Sequence, residues 1–369
     1  MSWIKLSQTF TQLPELMFTG KIRFDFDGIP LIAKEVSFRK RINLLKAGID
    51  SFFHLNKLCA LPPLLQIEPT NICNLNCPLC PTGSNSLKRR KGMMTLDTFR
   101  HILDELGDVL IGAYLFGYGE PFLNPEMPQM IAACTQRNIL TLTTTNGQFI
   151  QTIDEALKIV DAGLTTLIIA IEGSTQATYE QYRRGGDLEK AKRCALLIEE
   201  AKGARNSAFP YTVLRSVIMR QNQDDLPNLE QLARDLGVNR FAVKTLGGLI
   251  QSEQYSAYVS TNSALRRFGK RASSSFKPLH VVCPYPFRQP SIFWDGTIVG
   301  SEHDYELERP FGKIGEQPFA TLWNSLQAIQ LRRSIREGRH RPAFCKHCSH
   351  EGAINSGVEF VHRELRGIV

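Results

Sequence analysis

The sequence predicts an α/β fold in which six βα units surround a parallel sheet, with a small cysteine-bearing module at the C-terminal end. The first observation is that short β-rich stretches alternate with longer stretches of helical spacing, a pattern typical of a parallel sheet covered by helices. The second is that this alternation stops near residue 245 and a hairpin signal follows. With 43% hydrophobic and 22% charged residues, the 369-residue chain has material for a large core, which excludes a disordered or fibrous protein.

The predicted strands are six segments rich in β-branched and aliphatic residues: 64–68, 113–116, 139–144, 166–171, 212–218 and 241–244. Five segments with helical spacing connect them: 96–106, 125–137, 153–162, 188–201 and 226–236. Asn124 is the predicted N-cap of the second helix, because its side chain can accept from the free amides while Pro125 suits the first turn. In such folds the ligands bind at the carboxyl ends of the strands.

The same patterns divide the chain into four parts. These are an N-terminal helical lead-in over 1–62, the α/β barrel over 63–250, a polar linker over 251–275 and the C-terminal module over 276–369. Within the module, Asp295-Gly296 lies between two short β-rich stretches and predicts a hairpin. A helix is predicted over 319–336.

Charge and hydropathy narrow the classes of function. The chain has 44 basic and 36 acidic side chains, a net charge of +8, and basic residues cluster at 88–91 among other places. Such a charge favours anionic ligands, but basic clusters are usually solvated, so nucleic acid binding is not expected. No apolar run approaches the ~18 residues of a membrane span, and no export signal is visible, so we expect a cytoplasmic protein without a membrane span.

The nine cysteines carry the chemical signal of this sequence. Cys73, Cys77 and Cys80 lie in one loop directly after the first predicted strand. Thiolates bind iron and zinc, and three thiolates from one loop leave one corner of a cubane iron–sulfur cluster open, whereas a structural zinc site normally closes four positions. Three further cysteines are in the C-terminal module, and the remaining three are isolated and expected to pack without a function.

The three-cysteine loop, with its CxxxCxxC spacing, resembles that of the radical S-adenosylmethionine (SAM) superfamily, as do segments over roughly 64–350. Leu79 stands where the family has an apolar or aromatic residue before the third cysteine. Tyr118-Gly119-Glu120-Pro121 is similar to the GGEP motif that lines the methionine end of SAM, with Tyr118 replacing the first glycine. The segment 143–147, which includes Asn146, is similar to the segment that meets the ribose.

Two later segments extend the resemblance with substitutions. After the fourth strand the family has SxDG, and here Ala170 and Glu172 replace the serine and the aspartate. The segment 182–186 resembles the RGG stretch of the family, which makes Arg184 the predicted partner of the SAM carboxylate. By the same resemblance, Glu120 accepts a charge-assisted hydrogen bond from the SAM amine.

The C-terminal cysteines resemble the SPASM and twitch modules of that superfamily. Cys283 is followed after twelve residues by Gly296 and then by Ser301, which stands where the module has a second cysteine. Cys345 and Cys348 resemble the pair that completes the first auxiliary cluster. Three alternatives stay open here. A [4Fe–4S] cluster takes Ser301, Glu302, His303 or a substrate atom as fourth ligand; zinc binds through three cysteines and a histidine; or the cluster has been lost.

The resemblance implies a fold and an activity. The expected fold is a partial (β/α)6 TIM-like barrel with a small C-terminal α+β module of SPASM/twitch type. The expected enzyme cleaves SAM reductively at a [4Fe–4S] cluster to a 5′-deoxyadenosyl radical, which abstracts a substrate hydrogen. The outcome is oxidation, epimerisation or cross-linking of a peptide or small polar metabolite, with a flavodoxin or ferredoxin as electron donor. The alternative is a non-catalytic zinc- or RNA-binding protein on a degenerate fold of this type.

Overall fold

The computed structural model describes residues 6–247, 253–267, 283–346 and 360–366. Its strands are β1 Ile22–Phe26, β2 Ile29–Ala33, β3 Leu64–Ile67, β4 Gly112–Leu115, β5 Leu140–Thr145, β6 Thr166–Ala170, β7 Tyr211–Ile218, β8 Arg240–Thr245, β9 Ser291–Ile292, β10 Thr297–Val299, β11 Pro310–Lys313 and β12 Phe360–Glu364. Its helices are α1 Leu6–Thr19, α2 Phe38–Phe52, α3 Leu96–Leu106, α4 Met127–Thr135, α5 Ile153–Asp161, α6 Gln176–Glu180, α7 Leu188–Ala204, α8 Leu226–Asp235, α9 Glu253–Tyr258, α10 Tyr285–Arg288, α11 Phe319–Trp323, α12 Leu326–Glu337 and α13 Ala343–Lys346. None of these helices combines the length and apolar character that crossing a membrane requires.

The centre of the fold is the parallel sheet β3-β4-β5-β6-β7-β8, with neighbours in chain order. These are the six predicted strands, and each end agrees with the prediction to within one residue. The α/β barrel-like architecture predicted for this region is therefore confirmed. The carboxyl ends of all six strands meet at one edge, where the loop after each strand can contribute to a shared site.

The helices between these strands begin and end largely as their caps dictate. Thr152 and Glu155 form a capping box at the start of α5, and Asp187 caps α7. The prediction for α4 was wrong at its start, because the helix begins at Met127 and Asn124 does not cap it. The Asn124 amide donates to the carbonyls of Pro69 and Met94, both at 2.9 Å, and so ties the loop after β3 to the approach of α3.

The N-terminal segment differs from the helical lead-in that was predicted, since residues 22–33 form the antiparallel hairpin β1–β2. Its turn is Asp27-Gly28, and both residues have positive φ, of 50° and 75°. Such a dipeptide between strands with alternating apolar residues favours a hairpin. This was the signal in the sequence that a helical interpretation overlooked.

The hairpin packs inside the barrel. Side chains on one face of the sheet pack on the surrounding helices, whereas those on the opposite face form a second core cluster with the hairpin. The members of this second cluster from the sheet include Tyr114, Leu142, Ile168 and Val213. The hairpin thus closes the barrel interior from the end opposite to the strand carboxyl ends.

The C-terminal module continues the barrel sheet. The predicted hairpin around Asp295-Gly296 is confirmed as β9–β10, and β9 pairs in parallel with β3. At the other edge of the sheet, β12 pairs antiparallel with β8. The resulting sheet of the described residues has ten strands in the order β11-β10-β9-β3-β4-β5-β6-β7-β8-β12.

Two further predictions for the C-terminal half need correction. The single helix expected over 319–336 is divided into α11 and α12, because Ser325 accepts a hydrogen bond from the Ala328 amide and starts a new helix. The predicted linker over 251–275 contains α9, and Arg267 within it is only 2% exposed. Its described part, 253–267, is therefore packed structure; residues 268–275 lie outside the described part of the chain.

Candidate functional site

The three-cysteine loop leaves the carboxyl end of β3 and turns tightly on itself. Cys77 is 5% exposed, and Cys73 and Cys80 are half-buried. The Cys80 amide donates to the Cys77 carbonyl at 3.2 Å. Gly83 lies so close to this turn that a Cβ there would come within 2.5 Å of the Cys77 amide nitrogen. The fold therefore holds three thiols in one compact loop and leaves no room for a side chain at position 83.

Burial and a neighbouring arginine set the electrostatics of these thiols. Burial raises the pKa of Cys77 to about 12, against the effect of Arg183, whose Nη1 lies 3.9 Å from Cys77 Sγ. Burial likewise raises the pKa of Cys73. A bound metal supplies the positive charge that converts such buried thiols to thiolates, and Arg183 adds to it.

Arg183 is in turn held by Glu172, from the loop after β6. Arg183 Nη2 donates to Glu172 Oε1 at 2.8 Å, and Arg183 Nε donates to Glu172 Oε2. The Glu172 side chain is 1% exposed. Burial would lower the pKa of Arg183, but the Glu172 carboxylate raises it well above its ordinary value. The paired charges keep the guanidinium of Arg183 oriented toward the cysteine loop.

The sequence selected the neighbouring residue, Arg184, as the partner of the SAM carboxylate, and that role stays a prediction. The Arg184 side chain donates to the Tyr258 hydroxyl at 3.3 Å, and its carbonyl accepts from the Asn76 amide. Arg183 is the residue that sequence reasoning missed. The signal was the carboxylate at position 172, which in a buried loop requires a cationic partner.

Glu120 is buried in the loop after β4, at 3% exposure. Its carboxylate accepts hydrogen bonds from Thr145 Oγ1 at 2.9 Å, the Asn146 amide at 2.8 Å and the Phe122 amide at 3.2 Å. Burial raises the pKa of Glu120 to about 7, although these hydrogen bonds act in the opposite direction. Glu120 thus joins the loop after β4 to the loop after β5.

The residues next to Glu120 are set by close contacts. Gly119 lies against the loop that leads to the cysteines, since a Cβ on it would come 2.3 Å from the Thr70 carbonyl oxygen. Tyr118 is accommodated where the resembling motif has glycine, because its ring packs against Tyr305 at 4.9 Å between centroids. This contact brings the C-terminal module to the GGEP-like loop.

Asn146 and Leu79 complete the group around the cysteine loop. The side-chain Nδ2 of Asn146 donates to Asn74 Oδ1 at 2.8 Å and lies 3.8 Å from Cys73 Sγ. Leu79 packs beside an apolar cluster that contains Met219. The structure therefore gathers the predicted residues of the cysteine, GGEP-like and Asn146 segments at one edge of the sheet, and places the Arg184 side chain on Tyr258 instead.

The candidate residues of the auxiliary site come from separate segments of the C-terminal module. Ser301 is 5% exposed, and its hydroxyl lies 3.3 Å from His303 Nδ1. Glu302 accepts from Gln66 Nε2 of β3 at 2.5 Å, so its carboxylate contacts the barrel. Cys283 and Cys345 are half-buried and pack against the main core. Cys348 lies outside the described residues.

The chemistry of these donors fits iron–sulfur ligation. The loop presents three thiols beside a cation, and the module presents two cysteines and the Ser301–His303 pair. In the part of the chain that the structure describes, no three His, Cys, Asp or Glu side chains are placed so that they could hold a metal ion. The fit therefore rests on the donor set and its electrostatics.

The basic run 88–91 joins the barrel to the C-terminal module. Arg89 pairs with Glu68 at 2.7 Å, and its guanidinium carbon lies 3.9 Å from the centre of the Phe293 ring. Trp294 Nε1 donates to the Arg90 carbonyl at 3.2 Å. The sequence associated this run with anionic ligands or solvent. In the structure, Arg89 and Arg90 both make contacts inside the protein.

Comparison with known proteins agrees with this geometry. A family model described as the radical SAM superfamily matches residues 67–233, and a model described as an iron–sulfur cluster-binding domain, SPASM, matches residues 283–349.

Among curated proteins, the chain is similar to an AdoMet-dependent heme synthase of Methanosarcina barkeri, with 22% identity over 78% of this chain and 89% of the relative. It is also similar to a PqqA peptide cyclase of Granulibacter bethesdensis, with 30% identity over 48% of this chain and 46% of the relative. The chain therefore spans about half the length of this peptide cyclase. Among solved structures, SuiB of Streptococcus suis bound to S-adenosylmethionine matches with a TM-score of 0.61 and 17% identity, over 84% of this chain and 75% of SuiB.

Proposed function

Because the chain belongs to the radical SAM superfamily and carries a SPASM domain, we propose that it is an enzyme that modifies a peptide or a small polar metabolite at an unactivated carbon. The cofactors of these domains are a [4Fe–4S] cluster, SAM and an auxiliary iron–sulfur cluster. When bound, the reduced cluster and SAM supply the 5′-deoxyadenosyl radical that removes a substrate hydrogen atom. The remaining tasks, binding and orientation, belong to the side chains of this chain.

One observation carries the proposal: the cysteine loop, the Glu172–Arg183 pair and the Glu120–Asn146 contacts converge at the carboxyl ends of neighbouring strands. Cys73, Cys77 and Cys80 would hold the cluster through their sulfur atoms. Arg183 would offset part of the negative charge of the thiolates. A buried environment of fixed charges and few waters protects a reactive species from side reactions.

The SAM-binding face is assigned to the loops after β4 and β5. Gly119 lets the loop after β4 pack closely against the Thr70 backbone, and the Glu120 carboxylate holds Asn146 in place by accepting from its backbone amide. Leu79 gives this face an apolar border. Arg184 remains the proposed partner of the SAM carboxylate, and its exposed side chain donates to the Tyr258 hydroxyl at 3.3 Å.

The relatives support a peptide as the first substrate class, because the 30% identity to a peptide cyclase is the highest among those compared above. A small metabolite is the second class, since a heme synthase matches over 78% of this chain. A flavodoxin or ferredoxin is proposed as the electron donor.

The test is reductive cleavage of SAM by the full chain, reconstituted anaerobically with iron and sulfide. We expect 5′-deoxyadenosine to form with dithionite or reduced flavodoxin and to require the protein. If a correctly loaded protein forms none with either reductant, the proposal of a radical SAM enzyme is wrong.

The auxiliary site gives a second measurable expectation. Two [4Fe–4S] clusters require about eight irons per chain after reconstitution. Replacing Cys283 with alanine should lower this by about four, because one thiolate of the auxiliary set is removed, while the first cluster stays. Iron and zinc are counted by plasma mass spectrometry, with Cys194→Ala as the matched control, since Cys194 is buried in α7. Four irons and one zinc in the wild type would overturn the auxiliary cluster.

Replacing Glu120 with glutamine should weaken SAM binding about tenfold, or about 1.4 kcal/mol. A glutamine amide has only one acceptor oxygen, so either the Phe122 or the Asn146 backbone N–H then faces an N–H donor, and the loop that forms the SAM face is displaced. Equilibrium dialysis of labelled SAM measures the affinity, and the iron content should remain that of the wild type. The control is Glu189→Gln, whose side chain is 78% exposed and pairs only with Lys192 within α7 among the ion pairs described. Equal affinity in both variants would assign Glu120 no part in the SAM face.

A further inference from the structure

The tip of the β1–β2 hairpin carries a charge into the barrel interior. Asp27, in the turn, lies 2.9 Å from Lys244 Nζ of β8 and 3.6 Å from Arg215 Nη1 of β7. Both cations lie on the face of the sheet that points to the hairpin. Arg215 is two residues after Val213 in β7, and Lys244 is two residues after Ala242 in β8, so each shares the face of a residue of the interior cluster. Two cations therefore meet one carboxylate inside the barrel.

This cluster is enclosed but reached by solvent. The side chains of Asp27, Arg215 and Lys244 are 12%, 16% and 25% exposed. Burial would raise the pKa of Asp27, but Lys244 and Arg215 hold it well below its ordinary value, so Asp27 is a carboxylate. The cluster is therefore charged.

One donor of the cluster lacks an acceptor among the described residues. Within that part of the chain, Arg215 Nη1 is shut off from solvent and makes no hydrogen bond, because the 3.6 Å contact with Asp27 is too long for one. Buried polar groups in proteins are nearly always hydrogen-bonded, so this guanidinium nitrogen calls for an acceptor that the described residues do not supply.

The other carboxylates that face Arg215 already have partners. Glu172 is held by Arg183, and Glu302 accepts from Gln66. Both are close enough to affect the pKa of Arg215. The acceptor that Arg215 Nη1 lacks is therefore supplied by none of the carboxylates described around it.

We propose that Arg215 and Lys244 bind a carboxylate of the substrate in the barrel interior. Arginine binds carboxylates through a planar fork, and Asp27 shows one carboxylate already placed against the same two cations. Arg215 pairs in register with Ala170, two residues before Glu172, and Glu172 holds Arg183 next to Cys77, so a substrate anchored at Arg215 extends toward the cysteine loop. This assignment rests on the proposed function and narrows its substrate to acids.

The test uses glutarate as probe and its neutral diamide, glutaramide, as the matched compound. Both are titrated by calorimetry into the full, cluster-loaded chain at fixed ionic strength. Glutarate should bind at least tenfold more tightly than glutaramide, and Arg215→Met should remove at least that tenfold advantage. Arg205→Met is the control, because Arg205 forms a bidentate pair with Asp161 on the surface.

A second variant distinguishes loss of the binding site from misfolding of the Arg215→Met variant. Arg215→Lys keeps the charge and loses the fork, so it should retain part of the preference for glutarate. Equal affinity of the wild type for the two probes, or equal losses in the Arg205 and Arg215 variants, would overturn the site. The proposed function fails by a different result, the absence of 5′-deoxyadenosine from the wild type, so the two failures are distinguishable.

Discussion

Replacing Cys77 with alanine will reduce 5′-deoxyadenosine formation to the level of the reductant without protein. The same change will remove about four irons per chain, because the cluster loses one of its three protein ligands. Cys77 lies at the centre of this effect, since it is the most buried thiol of the loop and the one beside Arg183. Product is measured by liquid chromatography with mass spectrometry, and iron is measured on the same samples.

Cys59→Ala is the matched control for this variant. Cys59 is an exposed cysteine outside the loop, so its replacement removes a thiol without touching the cluster. We expect wild-type iron content and wild-type product from it. If Cys77→Ala kept both iron and product, the cysteine loop would not hold the cluster.

Arg89→Met will lower the free energy of unfolding by about 3–5 kcal/mol, because it leaves a buried carboxylate without its partner. Glu68 and Arg89 are 1% and 6% exposed, and the carboxylate accepts two hydrogen bonds from Arg89 Nη2. Burial raises the pKa of Glu68, and Arg89 acts against that rise. The change in the free energy of unfolding is measured by urea denaturation, with circular dichroism as the signal.

A surface pair separates burial from simple loss of an arginine. Arg39 and Asp108 lie 2.6 Å apart with side chains 75% and 73% exposed. Arg39→Met should therefore cost about 0–1 kcal/mol. The double variant Glu68→Gln with Arg89→Met should recover part of the loss, since the unpaired charge is gone. A single Arg89 variant as stable as the Arg39 variant would contradict the role given to the buried pair.

The sequence was sufficient to predict the barrel because short apolar runs alternate regularly with longer segments of helical spacing. Strands buried on both faces read as short apolar runs, and the helices between them carry apolar residues at helical spacing. The cysteine spacing and the order of the motifs likewise led to the loop around Cys77 and to Glu120. These features are local in sequence, which is why one sequence reveals them.

The remaining features depend on tertiary contacts. Arg183 and Arg184 are neighbours of the same type, and only the position of Glu172 distinguishes them. The basic run 88–91 is indistinguishable in sequence from a solvated loop, yet Arg89 pairs with a carboxylate distant in the chain. The place of the β1–β2 hairpin inside the barrel follows from packing that no local pattern records.

The ten-stranded sheet also has consequences for how the chain is made. Its edge pairings join Gln66 to Ser291 and Val243 to Val361, so each edge of the barrel stays uncovered until more than a hundred further residues have been synthesised. Contacts between such distant residues slow folding, and uncovered strand edges promote aggregation. A chain cut after the barrel would expose β3 and β8 together, and we therefore expect barrel and module to fold as one cooperative unit.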